Sequence, residues 1–194
     1  MDIAILGAGG SVGRMIAQMI VSEQTIDRTE RLVLIGNPEG RSARSLPGFA
    51  VDLMDGYAEI APQIEVLFDL SCLQCDLIVV AAGATLPSDL NQIASRDQLA
   101  RYNFPVFNKF ARKLNACSSG HEIVLCVSNP NELCVSVFAR YLGRKRVVGM
   151  GAFLDSLRFR KEIASDLGIR RHIIHGFMAG EHGANLVPLW SSVH

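Results

Sequence analysis

Ile3-Ala4-Ile5-Leu6-Gly7-Ala8-Gly9-Gly10-Ser11-Val12-Gly13 is the stretch that decides the fold. Four apolar residues run straight into a glycine cluster. The next residues, SVGRMIAQMIVSE (11–23), carry apolar side chains at helical spacing. A strand, a tight turn and a helix therefore follow one another without a gap. Glycines let the backbone turn sharply and approach a ligand closely. The first turn of the helix offers unpaired N–H donors and a dipole that favours an anion. In this context the glycines read as a pyrophosphate cradle, the fingerprint of a dinucleotide-binding βαβ unit.

The same alternation continues outward. RLVLIG (31–36), IEVLF (64–68), CDLIVVAAGA (75–84), HEIVLCVSNP (121–130) and KRVVGMG (145–151) read as further strands. The fourth strand is almost uniformly apolar, as a parallel strand covered on both faces should be. Helical patterns lie between them. SARSLPGFAVDLM (42–54) is interrupted by Pro47 and Gly48. Residues 95–118 form a long pattern with an expected bend near Pro105, and residues 131–142 precede Gly143. The expected fold is α/β: a Rossmann-type parallel sheet with helices on both faces, followed by the start of an α+β substrate domain. The expected domains are 1–150, binding a dinucleotide, and 151–194, the incomplete beginning of a substrate domain. Residues 153–168 form an amphipathic helix, and RRHIIHGFMAG (170–180) reads as extended.

Composition narrows the function. Nineteen basic residues balance nineteen acidic ones across the 194 residues, so nothing attracts a nucleic-acid backbone or an anionic membrane. No apolar run is long enough to span a bilayer. The five cysteines form no disulfide framework, and Cys72–Cys75 has no second pair to complete a metal site. Free thiols point to a reducing cytoplasm, and no metal is expected.

The second strand bears on the cofactor. A dinucleotide fold selective for NAD normally ends this strand on an acid that holds the ribose hydroxyls. Here the end is Leu34-Ile35-Gly36-Asn37, followed by Arg41 and Arg44. Loss of the carboxylate removes repulsion toward a 2′-phosphate, and an arginine could pair with it, which favours NADP over NAD. In GEHGANLVPLW (180–190), His182 sits between glycines, and histidine is the natural proton shuttle near neutral pH. Asp155 and Arg158, three apart on one helix, offer an orienting acid and a cation. Asn129-Pro130 ends a strand on the edge where such sheets bind ligands.

These segments in this order, VSNPNE (127–132), VVGMGAFLDSLRFR (147–160) and GEHGANLVPLWS (180–191), resemble the NAD(P)-dependent lactate/malate dehydrogenase family along essentially the whole chain. The resemblance implies reversible oxidation of an L-2-hydroxy acid to a 2-oxo acid. It implies His182 as proton acceptor and donor, Asp155 as its orienting partner and Arg158 as the clamp on the substrate carboxylate. Asn129 would bond the substrate oxygen or the nicotinamide side, and Arg96 would polarise the carbonyl when a mobile loop closes. Cofactor contacts are expected from Gly7, Gly9, Gly10, Ser11, Val12, Gly13, Gly36, Asn37, Arg41, Ala82, Gly83, Asn103, Val127 and Asn129. The spacing of glycines 7, 10 and 13 resembles the malate type, so malate/oxaloacetate is the expected pair. The family also implies a homodimer or homotetramer.

The sequence departs from the family in three places. Gly36 replaces the usual acid. The loop 81–96 looks longer than usual, and where malate enzymes carry an arginine for the distal carboxylate it offers only Thr85, Leu86 or Pro87, with Asp89 nearby. That absence leaves L-lactate or another 2-hydroxy acid as an alternative. Family members are also much longer, so the chain is expected to be a fragment that could be inactive alone. A non-catalytic dinucleotide-binding protein is the second alternative.

Overall fold

The computed structural model describes residues 1–40, 42–70, 73–84, 96–180, 182–183 and 185–194, and only the backbone of Arg96. Cys72, Thr85, Leu86, Pro87, Asp89, Arg41 and Glu181 lie outside the described residues. The chain divides into two compact units, Met1–Val148 and Gly149–His194.

β1 (Ile3–Leu6), β2 (Arg31–Ile35), β3 (Gln63–Leu67), β4 (Leu77–Val80), β5 (Ile123–Cys126) and β6 (Val147–Gly149), all in the first unit but for the last residue of β6, form one sheet in the order β3-β2-β1-β4-β5-β6. β1 pairs in parallel with both β2 and β4, placing Leu6 beside Ile35 and Val80. The strand order reverses at β1, so the switch point of a doubly wound sheet falls where the glycine loop leaves it. The sheet residues alternate between two cores. Ala4 and Leu6 face one with Phe107, Ala111 and Phe138; Ile3 and Ile5 face the other with Ala17, Ile20 and Leu53. Burial on both faces explains the uniformly apolar strands.

The helices are α1 (Ser11–Ser22), α2 (Leu46–Gly56), α3 (Arg96–Cys117) and α4 (Asn131–Leu142). α2 starts later than the helical pattern at residue 42. Pro47 falls in its first turn, where a missing N–H costs nothing. α3 remains helical through Pro105, whose ring is exposed. Gly143, at φ +90°, follows α4.

The amino ends of the strands are tied by charge. Asp2 accepts from the Arg31 backbone N–H at 2.9 Å and from its guanidinium at 2.8 Å. Burial works against the charge on Asp2, but the hydrogen bonds from Arg31 outweigh it and hold the carboxyl below its ordinary range. At the start of β5, Glu122 accepts from Ser118, Ser119, Gly120 and Arg146. Buried Cys75 is pushed up to about 12 chiefly by desolvation, so it is an inert thiol at neutral pH.

The second unit is smaller. α5 (Gly151–Leu167) ends on Gly168 at φ +64°. Residues Arg171–Ile173 form a single 3₁₀ turn where an extended run was expected, because the Ile173 and Ile174 N–H groups bond locally to the Arg170 and Arg171 carbonyls at 3.1 Å. Extended structure begins only at β7 (Phe177–Gly180), which pairs antiparallel with β8 (Leu186–Leu189). Ser156, buried on α5, donates to the Ala152 carbonyl at 2.6 Å and accepts the Met178 N–H at 3.0 Å, fastening β7 to the helix. β8 has β7 as its one strand partner among the described residues, and Val187, Leu189 and Trp190 are exposed.

Candidate functional site

The carboxyl end of the first unit's sheet carries two clefts. One has a volume of ≈ 340 Å³ and is lined by Gly7, Gly9, Gly10, Gly36, Asn37, Ser42, Ala81, Ala82, Gly83, Val106, Lys109 and Phe110. The other, also ≈ 340 Å³, is lined by Val12, Ala81, Ala82, Gly83, Ala84, Leu99, Asn103, Val127, Ser128 and Asn129. They share the Ala81–Gly83 wall that follows β4.

The loop's glycines fit this crowded place for separate reasons. Gly7 has φ +85°, and a Cβ there would lie 2.6 Å from the Ala82 Cα. A Cβ on Gly13 would strike the Gly7 carbonyl oxygen, and one on Gly9 would strike the Ser42 hydroxyl. The N-cap of α1 is Gly10, which has no side chain to cap the helix. The first-turn N–H groups therefore keep the capacity to bind an anion. Arg14 braces the loop by donating to the Gly9 carbonyl at 3.3 Å and the Ser45 hydroxyl at 2.6 Å.

Asn103 is buried on α3. Its Oδ1 accepts the Ala84 N–H at 2.6 Å, and its Nδ2 donates to the Ala84 carbonyl at 3.1 Å and the Asn129 carbonyl at 2.6 Å. Its amide thus clamps the loop after β4 to the turn after β5. Asn129 is exposed at the rim of the second cleft, held in a turn that Asn131 also braces through the Cys126 carbonyl at 2.7 Å.

The second unit holds a separate polar group. Asp155 on α5 is 6% exposed, yet both its oxygens are engaged. One lies 2.7 Å from His182 Nδ1, in the turn between β7 and β8, and the other 2.9 Å from the Arg158 guanidinium. Burial alone would raise the Asp155 carboxyl, but the bonds from His182 and Arg158 prevail and hold it below its ordinary range. An ionised carboxylate only accepts, so the proton at this contact belongs to His182 Nδ1. That fixes the tautomer of the neutral ring, in which Nε2 is the acceptor nitrogen. The His182 and Arg158 side chains are half exposed, while the acid that orients them is not.

A family model described as "lactate/malate dehydrogenase, NAD binding domain" matches residues 1–149. The chain belongs to the lactate/malate dehydrogenase family. It is 30% identical to a malate dehydrogenase of Methanothermobacter marburgensis, covering 99% of this chain and 58% of that one. It is 32% identical to an L-lactate dehydrogenase B of Hordeum vulgare, covering 98% of this chain and 53% of that one. Among solved structures, a Cryptosporidium parvum lactate dehydrogenase complexed with lactic acid and nicotinamide adenine dinucleotide superposes with TM-score 0.81 at 27% identity. That match covers 100% of this chain and 58% of the other. A malate dehydrogenase of the same organism gives the same TM-score and identity, covering 59% of its length. The chain therefore spans little more than half the length of these dehydrogenases, and its similarity is divided evenly between the two substrate names. The Rossmann fold for NAD(P) is common to them.

Against this family background the expected positions separate clearly. Gly7, Gly9, Gly10, Gly36, Asn37, Ala82 and Gly83 meet at the first cleft, and Val12, Asn103, Val127 and Asn129 at the second. Ser11 and Gly13 line neither: Ser11 is exposed, and Gly13 is buried against the loop. Arg41 and the side chain of Arg96 lie outside the described residues. At the first cleft, sequence reading missed Ser42, Ala81, Val106, Lys109 and Phe110. A signal existed for two of them, because Leu99, Asn103, Val106 and Phe110 recur at spacings of three and four and so share a helix face.

Proposed function

We propose that the chain supplies the nucleotide-binding and proton-handling parts of an NAD(P)-dependent 2-hydroxy acid dehydrogenase. The carrying observation is the buried Asp155, bonded through one oxygen to His182 and through the other to Arg158. The glycine cradle and the uncapped start of α1 fit a dinucleotide pyrophosphate. Bound NAD(P) supplies the hydride acceptor in oxidation and the hydride donor in reduction.

The protein's own part follows from its donors and acceptors. During oxidation His182 Nε2 takes the proton of the substrate hydroxyl as hydride leaves the same carbon, and during reduction it returns that proton to the carbonyl oxygen. Asp155 stabilises the imidazolium formed and keeps Nδ1 pointed inward. Arg158 has donors beyond the one used by Asp155, and these suit a bidentate grip on the 1-carboxylate of the substrate. Asn129 presents an amide at the second cleft for the nicotinamide side or the substrate oxygen. Arg96 is assigned the polarising role at the carbonyl. Residues 1–150 act as the dinucleotide domain, with 151–194 opening the substrate domain.

The proposed substrate pair is malate/oxaloacetate, supported by the spacing of glycines 7, 10 and 13. The proposed cofactor is NADP, supported by Gly36. The proposed setting is a cytoplasmic homodimer or homotetramer, supported by free-thiol usage and the family resemblance. A panel of oxaloacetate, pyruvate and branched 2-oxo acids, each with NADH and NADPH, tests these points. Oxidation of NADPH by oxaloacetate is the expected result. A preference for pyruvate overturns the malate assignment, and a preference for NADH overturns the cofactor assignment. Cofactor binding without turnover on any 2-oxo acid favours the non-catalytic alternative.

A further inference from the structure

The first cleft is built against a ribose-chelating acid at the end of β2, and no acid lines it among the described residues. A Cβ at Gly36 would lie 2.8 Å from Leu46 Cδ2 and 2.9 Å from Phe68 Cε1. Leu46 is fully buried and cannot retreat cheaply. The path an acidic side chain would take from the end of β2 is therefore filled by hydrocarbon. Among the described residues lining the cleft, the one charged side chain is Lys109 on α3. Glu39, the nearest acid in sequence to Gly36, does not line it.

Lys109 is exposed, and among the described residues it has no ion-pair or hydrogen-bond partner. The next lysine on the helix, Lys113, is by contrast paired with Asp69 at 3.0 Å. Beside Lys109, Val106 and Phe110 give the cleft an apolar wall suited to a flat base. Across it, Asn37 and Ser42 offer an amide and a hydroxyl beside the glycine loop. A base, a ribose and a doubly charged substituent are matched in turn by an apolar wall, neutral donors and, among the described residues, one uncompensated cation.

We infer that Lys109 is a specificity-determining residue, pairing with the 2′-phosphate of a dinucleotide seated in this cleft. The inference rests on the NADP reading above and names a residue on α3, away from the loop after β2, as the discriminating charge. Lys109 keeps its stem along the helix and swings its ammonium to the phosphate, so the contact is a point charge, sensitive to salt.

The test uses the 194-residue chain and isothermal titration with adenosine 2′,5′-bisphosphate and 5′-AMP. The unaltered chain is expected to bind the bisphosphate more tightly, and Lys109→Ala to reduce its affinity roughly three- to tenfold, as for an exposed cation–phosphate pair. Affinity for 5′-AMP should stay within about twofold, since no contact to it is lost. Lys109→Glu should abolish the preference, Lys109→Arg should retain it, and added salt should erode it. Retention of the preference by a folded Lys109→Glu overturns the inference while leaving nucleotide binding intact. Equal affinity of the unaltered chain for both ligands overturns the inference and the NADP reading together. Binding of neither overturns the nucleotide-binding reading itself.

Discussion

Glu122 offers a quantitative test of the fold, at the end of β5 opposite Asn129. Its carboxylate is 6% exposed and accepts from the Ser118 hydroxyl, the Ser119 N–H and hydroxyl, the Gly120 N–H and Arg146, at 2.7 to 3.1 Å. Desolvation would raise its pKa, but these donors prevail and hold it at about 2 against an ordinary 4.5. Because the folded-state value is the lower one, the stabilisation is complete above 4.5 and is lost as pH falls toward 2. The gap corresponds to about 3 kcal/mol at neutral pH and about 2 kcal/mol at about pH 3.5. Glu122→Gln keeps an acceptor but removes the charge. Urea unfolding followed by far-UV circular dichroism should find it less stable by about 3 kcal/mol near pH 7. The deficit should narrow by about 1 kcal/mol near pH 3.5. Lys113→Ala is the control. Its pair with Asp69 is exposed on both sides, 49% and 60%, and should change stability by less than about 1 kcal/mol. A deficit for Glu122→Gln that stays constant across this pH range, or that equals the control's, would refute the reasoning.

Four further outcomes are expected. His182→Asn should lower 2-oxo acid reduction about 10²- to 10⁴-fold with cofactor affinity nearly unchanged, measured by steady-state kinetics and fluorescence titration. Asp155→Asn should lower kcat by a comparable factor of about 10³ or more, because the amide can donate to Nδ1 and select the wrong tautomer; retention of kcat would remove the orienting role. Gly13→Ala should destabilise the chain by about 1–3 kcal/mol through contact with the Gly7 carbonyl, read as a lowered thermal midpoint. Gly36→Asp should likewise cost about 1–3 kcal/mol against Leu46 and Phe68, and calorimetry should show no simple conversion to tight NAD binding.

Much of the first unit was legible because its physics is local. Ile3–Leu6 followed by glycines and a 3.6-residue pattern admits few structures, and six apolar runs became six strands. The Asp155–His182 contact joins residues 27 apart in sequence: the residue types offered an acid for the histidine, and the family resemblance paired the two. Periodicity cannot show which side chain a buried acid will meet. Ser42 and Lys109 went unseen for a similar reason, since a loop serine and a surface lysine have no pattern of their own. The 3₁₀ turn at Arg171–Ile173 reads as extended in the sequence because Ile173 and the following Ile174 are β-branched and suit a strand. Asn103 was expected at the cofactor and lines the second cleft, but the three backbone hydrogen bonds of its amide join it to loops 19 and 26 residues away and have no local signal.

Asp155 divides its two oxygens between His182 and Arg158, so those residues share one creditor and cannot be varied independently. Removing either leaves the acid turned toward the survivor, and its geometry shifts with it. Libraries that diversify position 158 will therefore also disturb the imidazole, and the best replacement there will depend on what stands at 182. Redesign of this unit has to treat the three residues as a single letter.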